Sequence, residues 1–187
     1  MNNPSISTKK VVTTALLAAL TVAGSALRIT LPLAIGDTTS FHLGNIICAL
    51  SGILLGPWLG GLAAGLGSAL YDILFYPAYI SECWITFLTK GAYGVAVGLV
   101  IGKSWGYGRA TLATLAGAVT YAVLYLTKSY FYSGLLKSGL TPDAALVMVA
   151  GKTPATIFNA VVAIVFAPML AIAIRKALER NHLMPVI

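Results

Sequence analysis

Apolar residues run along this chain in long unbroken stretches, and charges mark where the stretches end. Residues 11–27 are uncharged between Lys10 and Arg28, long enough for one transmembrane helix. Residues 38–71 carry no formal charge with His42 neutral, which is too long for one ordinary span. Gly56-Pro57 interrupts that run and Gly60-Gly61 follows. The pattern therefore predicts a fold-back into two spans, over about 43–55 and 59–75, the first of them short. Residues 84–102 form a fourth span with Lys90 inside it, and 110–131 a fifth. Residues 153–174 form a sixth, which a helical stretch from Asp143 can precede. The expected fold is all-α: an integral membrane bundle of six transmembrane helices in a single domain, residues 1–187.

Composition agrees with lipid as the solvent. The 187 residues are 58% hydrophobic and 9% charged, with mean hydropathy +0.89, whereas a soluble domain carries about 25% charged residues. Lys9-Lys10 before the first run, with Ala23-Gly24-Ser25-Ala26 near its end, has the outline of a signal peptide. The run is long for that role and the rest of the chain is equally apolar, so a retained first helix is expected.

The net charge of +7 is scattered singly or in pairs, which argues against nucleic acid and for topology signals. Lys9, Lys10, Lys103, Arg109, Arg175, Lys176 and Arg180 belong on the cytoplasmic side. Six spans place both termini and the 103–109 loop there together, whereas five would put that loop and the C-terminus outside. Loops 32–41, 76–83 and 133–142 then face outward, with Asp37 in the first and Asp143 just after the third.

Ionisable groups inside a span cost about 2.5–3.5 kcal/mol each on insertion scales, so they are candidates for function. The six-span arrangement gathers Arg28, His42, Asn45, Asp72, Glu82, Lys90, Lys128, Lys152 and Asn159 in the outer half of the membrane. A polar pocket opening outward is one reading, its cations drawing a carboxylate or phosphate and its acids pairing with spare cations or donor groups. Snorkelling to the headgroups and structural ion pairing are the other, chiefly for Arg28 and Lys128 near helix ends. Asn159 can equally be an interhelical hydrogen-bond link. Phe41, Tyr71, Tyr76, Tyr79, Trp84, Tyr125, Tyr130 and Tyr132 lie toward the same edge, as an aromatic belt or in part as stacking surfaces for a flat solute.

Small residues recur every four positions at Ala15, Ala19 and Ala23, and at Gly61, Gly65 and Ala69. Such faces allow close helix approach, within this bundle or with a partner membrane protein. Cys48 and Cys83 have no paired spacing and read as small apolar fillers, so no metal is expected. The chain has no phosphate-binding loop, zinc motif or nucleophile elbow, and His182 lies in the tail. An enzyme is not expected.

Residues 54–72, from Leu54-Leu55-Gly56-Pro57-Trp58 through Gly60-Gly61 and Gly65 to Tyr71-Asp72, resemble the Gly-Pro and Gly-rich segment of the S components of energy-coupling factor (ECF) transporters. The alanines Ala15, Ala19 and Ala23 resemble that family's first-helix motif. Length, span count and basic charge agree over essentially the whole chain. The resemblance implies a multi-pass protein of a prokaryotic cell membrane that captures a vitamin or related micronutrient. It implies no energy source or cofactor of its own, since the ATP is used by two cytosolic ATPases acting through a transmembrane T component. Ala15 and Ala19 would contact that T component, and loop 32–41 would gate the pocket. With a basic pocket the expected cargo is anionic, such as pantothenate, folate or cobalamin. A self-sufficient permease, coupled to ions through Asp72 or Glu82, is the alternative, and a membrane enzyme or scaffold a further one.

Overall fold

The computed structural model describes residues 7–35, 38–102 and 105–180. Asp37, Lys103 and His182 lie outside the described residues. The first apolar run forms α1 (Thr8–Ala26). Residues 32–41 are not a plain loop. β1 (Arg28–Pro32) pairs antiparallel with β2 (Thr38–His42), with Arg28 opposite His42 and Pro32 opposite Thr38. Ile29, Thr30, Thr38, Thr39 and Phe41 favour extended backbone, and Pro32 is tolerated at a strand end.

Next comes α2 (Gly44–Phe75), one helical run in hydrogen bonding but bent back on itself at Gly56, where φ is 74° and ψ −172°. That backbone region is essentially open only to glycine. The Cys48 thiol lies 3.8 Å from the Ser68 hydroxyl, although twenty residues of straight helix would separate them by about 30 Å. A 3₁₀ helix (Pro77–Glu82) leads into α3 (Cys83–Ile101). α4 (Tyr107–Lys128) continues as a wider π-type helix over Ser129–Lys137, so the expected 133–142 loop is reduced to the few residues before α5. α5 (Pro142–Arg180) runs for 39 residues through Pro154 and Pro168.

The protein is thus predominantly helical with one small hairpin. Five helical stretches are long and apolar enough to cross a bilayer: Thr8–Ala26, Gly44–Phe75, Pro77–Ile101, Tyr107–Lys137 and Pro142–Ala177. The arms of α2 pack chiefly on α3 and then on α1. Glycines permit that contact: a Cβ on Gly61 would lie 2.9 Å from the Gly91 carbonyl oxygen, and one on Gly65 2.7 Å from that of Phe87. The 61-65-69 face is therefore used within the bundle.

The bundle has two distinct ends. At one, Gly98 of α3 packs against Pro57 at the α2 bend, the Arg109 Nε–H donates to the Val100 carbonyl at 2.8 Å, and the Arg175 guanidinium lies 4.4 Å from the Trp105 ring centre. At the other end lie the β-hairpin, the Pro77–Glu82 helix and a polar cavity.

Candidate substrate site

Strand β2 supplies one wall of that cavity through Thr38, Thr39, Ser40 and His42, and the returning arm of α2 supplies Ser68, Tyr71 and Asp72. α3 adds Thr86, Thr89 and Lys90, α4 adds Tyr121, Tyr125 and Lys128, and α5 adds Thr156 and Asn159. Every one of these helices brings a face on which polar residues recur at three- or four-residue spacing. The space free of protein atoms is about 880 Å³, the open mouth included.

Six of the nine residues singled out from the sequence line this one cavity: Arg28, His42, Asp72, Lys90, Lys128 and Asn159. Asn45 stands behind it, accepting a hydrogen bond from the Lys90 ammonium on Oδ1. Glu82 is buried beside it, gripping both Lys128 and Lys137. Lys152 is not part of the wall: it is fully buried, with Nζ 3.5 Å from the Ser129 hydroxyl and 5.5 Å from the Tyr125 ring centre.

The cations are held by aromatic faces and acids rather than left to attract an anion. Lys90 Nζ sits 3.8 Å above the Tyr121 ring centre, a cation–π distance. Arg28 donates from Nε to the Ser25 carbonyl at 2.9 Å and lies 4.2 Å from the Tyr71 ring centre and 5.2 Å from that of Tyr76. Lys128 is 5.4 Å from the Tyr79 ring centre. Tyr93, Tyr121 and Tyr125 form a stacked column, with centroids 6.0 and 5.5 Å apart and planes within 24° and 19°.

Of the aromatics expected in a belt, Tyr71, Tyr76, Tyr79 and Tyr125 turn into the cavity, while Trp84 is exposed. Tyr121 escaped the sequence reading. Its signal was the 121-125-128 spacing, which puts two rings and an ammonium on one face of α4. The hydroxyls of Ser68, Thr86, Thr89 and Thr156 were missed as well, because isolated Ser and Thr are ordinary in membrane helices.

Two expectations test this site's chemistry. Glu82→Gln removes the charge of the buried partner of half-buried Lys128 and is expected to cost about 3 kcal/mol, the low end for breaking a buried pair, because Lys137 remains 45% exposed. Thermal unfolding in detergent measures it, and an unchanged melting temperature would show that the pair adds no stability. The second concerns pH. Burial, reinforced by the positive charges of Lys90 and Arg28, holds the His42 imidazole well below its ordinary value of 6.5. Neutral Nδ1 accepts from the Gly44 N–H at 3.2 Å. Below about pH 6.5 the unfolded chain takes up a proton that the folded chain refuses, so stability falls as pH drops through that value. His42→Asn is expected to flatten melting temperature against pH between about 7 and 5.

Ala15, Ala19 and Ala23 lie together on the exposed side of α1, whereas Leu17, Ala18 and Thr21 are buried. None of the three alanines lines the cavity.

Lipid-length helices surrounding a recessed polar cavity define a membrane-embedded solute-binding protein. The chain belongs to the ECF-type riboflavin transporter, S component family, whose sequence model matches residues 5–176. It is therefore a substrate-binding subunit of an ECF transporter, a member of a transporter family rather than of an enzyme family. It is also similar to a Pyrococcus woesei protein described as "Uncharacterized protein in gap 3'region", with 34% identity over 116 residues, covering 62% of this chain and 74% of that one.

Proposed function

We propose that this chain captures riboflavin from outside a prokaryotic cell and presents it to a T component driven by two cytosolic ATPases. The observation that carries the cargo assignment is the pairing of stacked Tyr121 and Tyr125 with Lys90 in a cavity otherwise rich in hydroxyls. A flat heteroaromatic ring gains from stacking on tyrosine, its carbonyls can accept from an ammonium, and a polyol tail matches Thr and Ser side chains. The family description points the same way.

An anionic cargo such as pantothenate, folate or cobalamin is less well supported. Lys128 already has Glu82 as counter-ion, and Lys90 shares the cavity with Asp72. A neutral cargo needs no further cation, whereas an added buried anion would have to draw on Arg28, which lies over the Tyr71 and Tyr76 rings.

The six-crossing arrangement with cytoplasmic termini belongs to this proposal. The fold-back at Gly56 turns α2 into two passes, the first of only twelve described residues, 44–55. Arg109 and Arg175 gather at the end opposite the cavity, as the positive-inside rule requires for an outward-facing site. Exposed Ala15 and Ala19 would receive the T component. The chain itself would need no cofactor, since ATP is consumed by its partners.

The test is to purify the chain in detergent and identify the co-purifying small molecule by mass spectrometry and flavin absorbance. Riboflavin bound at one per chain supports the assignment. Another vitamin in its place sinks it. Uptake by the chain alone, collapsing with an ion gradient, would instead favour a self-sufficient permease.

A further inference from the structure

Charge is unbalanced at the end of the bundle opposite the cavity. Lys9 and Lys10 begin α1 there, Arg109 lies in the first turn of α4, and Arg175, Lys176 and Arg180 close α5. Glu179 is the one acid at that end among the described residues. Two of the cations are built into the fold. The Arg109 Nε–H is bonded to the Val100 carbonyl, and a Cβ on Gly102 would lie 3.8 Å from Arg109 Nη2. The Arg175 guanidinium lies over the Trp105 ring, and Trp105 is itself packed on the buried core. Both guanidinium groups are thus anchored on the short α3–α4 junction.

Arg175 is incompletely paired. Its Nε donates to Glu179 Oε1 at 2.8 Å, but that carboxylate is 48% exposed, and such pairs contribute little. Its Nη1 is shielded from water and has no hydrogen-bond partner among the described residues, which is costly unless an acceptor is supplied. Trp58, beside the α2 bend, and Tyr107, at the start of α4, are exposed at the same end. Aromatic side chains so placed mark the membrane–water interface, where lipid headgroups lie.

We propose that Arg109 and Arg175 hold the phosphate of an anionic membrane lipid beside Trp105. A phosphate presents several acceptor oxygens in the geometry that guanidinium forks match. A lipid fits better than a soluble anion because the missing acceptor lies against an indole at the bilayer edge, where a phosphate arrives attached to apolar chains. Basic pockets between membrane helices are a recurrent seat for such headgroups. Occupancy ties the α3–α4 junction to the end of α5. None of these residues lines the cavity, so the site stands independently of the cargo assignment.

Quenching of Trp105 by brominated lipid tests this. The full chain carries Trp58→Phe and Trp84→Phe, which leaves Trp105 as the sole tryptophan of three. It is reconstituted in phosphatidylcholine vesicles containing a minor fraction of phosphatidylglycerol or phosphatidylcholine brominated high on the acyl chains. The salt is about 0.15 M, where the Debye length is about 8 Å and diffuse attraction is screened. Brominated phosphatidylglycerol is expected to quench at about tenfold lower mole fraction, the scale of one hydrogen bond to a charged group. Arg109→Gln with Arg175→Gln is expected to abolish the difference. Lys176→Gln with Arg180→Gln removes the same charge from the same end and is expected to preserve it within about twofold.

Equal quenching by the two lipids refutes the site and leaves the arginines to an acidic protein surface. Equal loss in both charge variants refutes it too, in favour of a diffuse surface potential. Inorganic phosphate added at constant ionic strength separates the two sources of phosphate. Unchanged quenching supports the lipid, whereas relief of quenching shows that the arginines take the free anion and overturns the assignment. If the double glutamine variant does not fold, Arg175→Lys keeps the charge but not the fork and carries the measurement. It is expected to lose most of the difference, and a full difference in that variant overturns the proposal.

Discussion

Replacing Ala15 and Ala19 together by leucine is expected to reduce ATP-driven uptake to the level of vesicles lacking this chain, while riboflavin binding by the isolated chain is unchanged. The reason lies in which side of α1 is used. Leu17, Ala18 and Thr21 are buried, whereas Ala15, Ala19 and Ala23 are exposed. Leucines at these exposed positions leave the buried face of α1 unchanged, so folding and the cavity are expected to be spared. A helix docking from outside would meet them at once. Close approach of membrane helices depends on small residues at the contact, because lipid gives no hydrophobic drive to compensate for lost packing. Reconstitution with the T component and both ATPases, read as vitamin accumulated per unit time, measures the effect. Full uptake by the double variant would mean that the T component docks elsewhere. The contrasting control is Gly67→Leu, whose added Cβ alone would sit 2.4 Å from the Ala18 carbonyl oxygen and is expected to unfold the α1–α2 contact.

The same two small-residue faces show what a sequence can and cannot convey. Both follow one spacing, and the spacing announces close approach without naming the neighbour. Only packing separates them, with Gly61 and Gly65 against α3 and the alanines exposed. The fold-back of α2 was legible because Gly56-Pro57 breaks an apolar run too long for one span, and hydrophobicity is the strongest signal a membrane protein gives. The β-hairpin was not: the fifteen residues 28–42 between two spans mix polar, β-branched and other apolar positions, with no period that distinguishes a strand from a loop. Ionisable residues of the site were legible by their cost in lipid, which is why Arg28, Asp72, Lys90 and Lys128 could be named from sequence and lie around one cavity. Lys152 met the same criterion and is buried elsewhere, since the cost of a charge says that it needs partners and not where they are. Asn159 was noticed for its polarity, but its carboxamide bonds the backbone of β2 at Ser40 and His42, a strand that the sequence did not reveal.

Lys90 is the residue on which riboflavin capture is expected to depend most. Lys90→Met keeps an apolar stem of similar length and removes only the ammonium, and it is expected to weaken riboflavin binding about 10- to 100-fold, the range for losing one hydrogen bond to a charged group. Within the cavity wall that ammonium is 5% exposed, bonded to Asn45 Oδ1 and poised over Tyr121. An ammonium has three donors, and Asn45 accounts for one of them. A flavin ring stacked against the tyrosine column would bring carbonyl oxygens to the same locality. A purely structural role predicts a different pattern. If Lys90 served only to hold Asn45 and Tyr121 in place, the methionine variant would melt lower while titrating riboflavin with the wild-type Kd. Equilibrium titration of flavin fluorescence alongside a thermal melt separates the two. Wild-type affinity in the methionine variant would take Lys90 out of the site, and with it the electrostatic half of the argument for a flat, carbonyl-bearing cargo. A loss of affinity without a drop in melting temperature would place the ammonium on the cargo, because only a bond made to the guest disappears without weakening the empty host.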